Sequence, residues 1–110
     1  MNKLLDLSDS ELINPIYLPD QQLIRICLRS WDEKEMIIDF TEAIGFCFLS
    51  YCDPSSLQIT NSSSGFMKDA LELEYDTPPD NHGFSCYEFF NYDDIPFIKI
   101  IAKNFEVKIN

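Results

Sequence analysis

Six short apolar runs, each closed by a turn signal, limit what this chain can become. They are Leu23–Trp31, Met36–Phe40, Ile44–Tyr51, Phe84–Tyr92, Phe97–Ala102 and Phe105–Ile109. None is long enough for a typical helix, and most are rich in β-branched or aromatic residues, so they read as strands. In the first, Ile24, Ile26 and Leu28 form one apolar face, and Arg25 and Arg29 share the other with Leu23, Cys27 and Trp31. Asp32-Glu-Lys is a polar turn into Met36–Phe40, which makes this pair a hairpin. Ile44–Tyr51 is apolar on both faces, as a central strand would be. Lys103-Asn104 fits a two-residue turn joining the last two strands, because Asn tolerates the left-handed backbone.

Only Ser62–Tyr75 departs from this pattern. Ser62–Ser64 can cap a helix, and Phe66, Met67, Ala70, Leu71 and Leu73 fit an apolar stripe at helical spacing. Leu71, Leu73 and Tyr75 also alternate with acids, so a short helix giving way to an extended segment near Leu71 is expected. Asp53-Pro-Ser-Ser, Asn61-Ser-Ser-Ser-Gly and Thr77–Gly83 read as turns or loops. The expected fold is one α+β domain over 1–110: a β-rich antiparallel sheet of about six strands with one short helix. An apolar fraction of 45% supports a core without staples. The four cysteines are expected reduced, since Asp6 and Asp9 break any export signal. No stretch reaches the roughly 20 apolar residues of a membrane span, and a cytoplasmic location is the default.

Charge narrows the function. Between Lys68 and Lys99 there are eight acids and no Lys or Arg, which concentrates much of the net charge of −11. Such a field repels nucleic acid and anionic membrane, and it attracts cationic partners. The expected partner-binding residues are Glu72, Glu74, Asp76, Asp80, Glu88, Asp93 and Asp94, with Tyr87 and Tyr92 as aromatic anchors for Lys or Arg. Trp31 with Asp32 and Glu33 forms a second candidate patch.

Catalytic and metal chemistry find little footing. His82 and Cys86 could form a nucleophilic pair, but no third orienting group accompanies them. Asp93-Asp94, or Glu72 with Glu74, could supply paired carboxylates, yet adjacent acids more often make a solvated face. Cys47, Cys52, His82 and Cys86 could be drawn as a zinc site, but no Cys-x-x-Cys exists. The acidic stretch Asp76–Glu88 is interrupted by Pro78 and Pro79, against a calcium loop. The three glycines are too scattered for a phosphate loop. No cofactor or metal is expected, and a binding module is favoured over a small hydrolase using His82 and Cys86.

The stretch Leu23–Ser50, with its strand, Trp-Asp turn, strand ending in Phe and following apolar strand, resembles small bacterial immunity proteins. These accompany polymorphic or contact-dependent growth inhibition toxins. The resemblance covers roughly the first half of the chain and carries no catalytic motif. It implies a small, acidic, cytoplasmic protein that acts by binding. Its expected partner is a cognate, basic, nuclease-type toxin whose active site it covers. An acidic adaptor domain in some other complex is the alternative.

Overall fold

The computed structural model describes residues 2–60 and 65–109. Among them are nine strands and one helix. The strands are β1 (Asn2–Asp6), β2 (Ser10–Leu18), β3 (Leu23–Ser30), β4 (Glu35–Thr41), β5 (Gly45–Phe48), β6 (Ser56–Thr60), β7 (Ser85–Phe90), β8 (Pro96–Ala102) and β9 (Asn104–Ile109), and the helix is α1 (Gly65–Glu74). They form two antiparallel sheets, ordered β1-β6-β7-β8-β5 and β2-β3-β4-β9. The α+β class with antiparallel pairing therefore holds, with nine strands in two sheets where about six in one were expected.

Strand alternation builds the core between the sheets. Ile24, Ile26, Leu28, Ile38 and Phe40 point inward from one sheet and meet Leu57, Tyr87, Phe89, Ile98 and Ile100 from the other. Rings interlock there: Phe40 lies 5.2 Å from Tyr87 and 6.0 Å from Phe89. A third layer is α1, whose Ala70 and Leu71 cover Cys86, Ile101 and Phe84 on the outer face of the five-stranded sheet.

Three expectations are corrected. First, α1 does not yield to an extended segment at Leu71. It runs to Glu74, the Tyr75 N–H still bonds the Leu71 carbonyl, and Leu73 points to solvent at 90% exposure. Burying Leu71 against Ile101 on the helical repeat outweighs the local alternation. The Ser62–Ser64 cap and most of the Asn61–Gly65 turn lie outside the described residues. Second, β5 is an edge strand of four residues. Its two apolar faces are met by unlike layers: Gly45 lies against Phe66 of α1, and Phe46 against Tyr17 of β2. Third, Lys103-Asn104 is no hairpin. Strand β8 is already paired on both edges, by β7 and β5, so the chain crosses to the other sheet and β9 pairs with β4. The crossing places Phe105 against Phe40 and Tyr87.

The Leu23–Trp31 and Met36–Phe40 hairpin forms as expected, with Arg25 opposite Asp39. Arg25 and Arg29 both pair with acids, Asp39 at 2.7 Å and Glu11 at 3.6 Å.

Candidate partner-binding surface

Three turns converge at one end of the sandwich. The first, Leu7–Asp9, joins β1 to β2. Its Asp6 carboxylate accepts bonds from the Ser8 hydroxyl and the Ser8 N–H, and Leu7 anchors it in the core. The second, Trp31–Lys34, joins β3 to β4. It closes through the Ser30 N–H to the Lys34 carbonyl at 2.9 Å, with Glu33 left-handed and the Ser30 hydroxyl donating to the Asp32 carboxylate. The third, Asn91–Ile95, joins β7 to β8. The Asn91 side-chain oxygen accepts from the Asp93 N–H at 2.9 Å and the Ile95 N–H at 3.0 Å, and Asp94 is left-handed.

The main chain of Asp9 ties the three together. Its N–H donates to the Tyr92 hydroxyl at 3.2 Å, and its carbonyl accepts the Trp31 N–H at 2.9 Å. Trp31 is thereby held at its main chain and Tyr92 at its hydroxyl tip, and both stay largely in solvent, Trp31 at 80% exposure and Tyr92 at 61%. Around them lie Asp6, Asp9, Glu11, Asp32, Glu33, Asp93 and Asp94. Arg29 pairs with Glu11, and Lys34 reaches Asp32 at 3.8 Å. Hydrogen bonds hold two of the acids below the usual carboxylate range: Asp32 through the Ser30 hydroxyl, and Asp6 through the Ser8 hydroxyl and then its N–H. An open cavity of about 340 Å³ beside Trp31 is lined by Asp9, Ser10, Glu11, Arg29, Ser30 and Glu33. Exposed aromatics beside carboxylates can take the ammonium or guanidinium of a partner by ion pairing and cation–π contact.

The acidic segment read from the sequence is split by the fold. Tyr92, Asp93 and Asp94 stand at this end and join the Trp31, Asp32 and Glu33 patch, which the sequence had left separate. Glu72, Glu74, Asp76 and Asp80 are exposed on α1 and on the loop that enters β7 at Ser85. The six residues of β7 separate the two groups, roughly 20 Å at a strand's rise.

Two expected contact residues are not on the accessible surface. Tyr87 is 4% exposed and packs between the sheets against Phe40 and Phe105; burial pushes its phenol upward. Glu88 is 8% exposed on the outer face of the five-stranded sheet, where it accepts the Thr60 hydroxyl at 2.6 Å. Strand alternation separates Tyr87 from Glu88, but both faces of β7 are covered, one by the four-stranded sheet and one by α1 and its surroundings.

Cys86 is 1% exposed beneath α1. His82 stacks on Phe84, and its Nδ1 accepts the Phe84 N–H at 2.9 Å. Among the described residues no three of His, Cys, Asp and Glu are grouped to hold a metal ion. Asp6, Asp9 and Glu11 lie at the candidate surface and are not among the residues the sequence points to, because nothing local links Asp9 to a tyrosine 83 positions away. Among the described residues no helix is long and apolar enough to cross a membrane. Compared with family models, with curated proteins and with solved structures, the chain matches none.

Proposed function

We propose that this protein is a cytoplasmic, non-enzymatic binding module that captures a basic protein with its acidic, aromatic-bearing end, and that the partner is a bacterial toxin it neutralises. One observation carries the reading: three independent turns are bonded through Asp9 so that Trp31 and Tyr92 stand exposed among carboxylates. Large exposed aromatics held on short, well-bonded turns lose little conformational entropy on binding, which favours them as interface anchors. The surrounding anions steer a cationic protein toward the same end and repel nucleic acid and anionic membrane. For a nuclease toxin, the carboxylates would occupy the groove where phosphates bind. The toxin assignment rests on the resemblance of Leu23–Ser50 to immunity proteins.

The test is protection. The protein is expressed in cells that also express a candidate toxin, taken from any toxin-like gene found beside its own. Survival, lost on Trp31→Ala with Tyr92→Ala, is the expected result. Death despite soluble, folded protein would overturn the toxin reading. Binding of a basic protein without protection would favour an adaptor role.

A further inference from the structure

Sheet edges invite pairing with another chain, and proteins usually blunt them. This molecule has four such edges among its described strands: β1, β5, β2 and β9. Strand β1 carries a register shift between Lys3 and Leu5. Strand β5 has only four residues. Strand β2 contains Pro15 and a shift between Leu12 and Asn14, and the Tyr51 hydroxyl donates to its Ile13 carbonyl. Strand β9 pairs with β4 over six residues without a shift and contains no proline.

The sequence of β9 is also complementary to itself when read antiparallel. With Val107 facing the Val107 of a second copy, Glu106 stands opposite Lys108 twice, and Phe105 stands opposite Ile109 twice. Charge pairs fall on the outer face and apolar pairs on the core face, as strand alternation requires. The apolar row is already started: Phe105 and Val107 pack against the core, whereas Ile109 is left 65% exposed. Charge balance distinguishes this strip in an otherwise acidic molecule. On the outer face of β3, β4 and β9, Arg25 and Lys108 offset Asp39 and Glu106, and Lys108 already reaches Asp39 at 3.5 Å. Two copies at −11 each can approach here without placing like charges opposite one another.

We propose that β9 is a homodimer interface, in which a second copy of this chain pairs antiparallel across a two-fold axis at Val107 and joins the two four-stranded sheets into one of eight. Such an interface is isologous and closes on itself, which also shields the edge from open-ended aggregation. The two acidic turn ends then point away from each other, so dimerisation leaves both open.

Mass in solution, read by sedimentation or light scattering on the full chain, tests the pairing. The wild type should have the mass of two chains at micromolar concentration. Glu106→Lys sets Lys opposite Lys and should weaken association about tenfold or more, although it lowers the net charge from −11 to −9 and so eases overall repulsion. Lys108→Glu sets Glu opposite Glu and should do the same. An equimolar mixture of the two variants restores both pairs and should recover the two-chain mass. A wild type that stays monomeric at the highest soluble concentration overturns the proposal. So does a Glu106→Lys variant, folded by circular dichroism, that dimerises like the wild type. If Lys108→Glu melts because Asp39 loses a partner, the exposed Glu106→Lys variant still decides.

Discussion

At the scale of single residues, Asp39 shows how environment decides what a charge does. It is 5% exposed on the outer face of β4, where Arg25 across the strand grips both oxygens, through Nε at 2.7 Å and Nη2 at 2.9 Å, and Lys108 approaches from β9 at 3.5 Å. The Arg25 hydrogen bond, opposed by burial, holds the carboxyl below its ordinary value. A carboxyl whose folded pKa lies below its unfolded value stabilises the fold above about pH 4, and that contribution is lost as pH falls toward the folded value. The melting temperature should therefore vary little with Asp39 between neutral pH and about pH 5 and fall below about pH 4. Asp39→Asn should cost about 1–3 kcal/mol at neutral pH and flatten the acid limb. An unchanged acid limb in that variant would show that other carboxyls control it. Aromatic residues divide just as sharply. Tyr87→Ala empties a core position and should cost about 3–5 kcal/mol, whereas Trp31→Ala should leave stability within about 0.5 kcal/mol. Thermal melts of the two variants side by side check the contrast, and equal losses would mean that Trp31 is structural.

At the scale of elements, Gly45 of β5 lies close against both β8 and α1. A Cβ built on Gly45 would lie 3.1 Å from Ile101 Cγ1 and 3.2 Å from Phe66 Cζ. Gly45→Ala should therefore force the Ile101 and Phe66 side chains to shift and cost about 1–3 kcal/mol, read from denaturant unfolding, while Leu73→Glu on the helix's exposed face should be nearly neutral. A stabilised Gly45→Ala would mean that Phe66 moves aside freely. These elements were legible to unequal degrees. Strands β3, β4, β7 and β8 announce themselves because long β-branched or aromatic runs coincide with burial. Strands β1, β2 and β6 do not: Pro15 and the Leu12/Asn14 shift break the alternation of β2, and β1 and β6 have five residues each. The α1 boundary was misread because Leu71, Leu73 and Tyr75 satisfy two periods at once, and only contact with Ile101 selects one. The crossing at Lys103 was not visible because it depends on β8 having both edges occupied, a property of the whole sheet. Of the acids at the candidate surface, Asp32, Glu33, Asp93 and Asp94 were readable; Asp6, Asp9, Glu11 and the grouping were not, since the grouping depends on the main chain of Asp9 bonding both Tyr92 and Trp31.

At the scale of the whole molecule, the fold turns one acidic stretch of sequence into two distant charges. Asp93 and Asp94 reinforce the aromatic end, while Glu72 and Glu74 project from α1, and Lys68 reaches back to Glu72 at 4.0 Å. Long-range steering depends on the summed charge, but short-range anchoring depends on place. A matched pair of variants separates them. Asp93→Lys with Asp94→Lys and Glu72→Lys with Glu74→Lys each replace two acids by two bases, so both move the net charge from −11 to −7. Steering should weaken similarly in both, seen as a reduced association rate at low salt that converges with the wild type as salt rises. Dissociation should differ. Only the Asp93 and Asp94 variant should release the partner faster, because only there do the carboxylates adjoin Tyr92 and Trp31; by contrast a single exposed ion pair contributes no more than about 1 kcal/mol. Binding kinetics at two salt concentrations measure both effects on the same folded proteins. Equal dissociation rates would mean that charge acts on this molecule only as a total, and that the aromatic end is not where the partner is held.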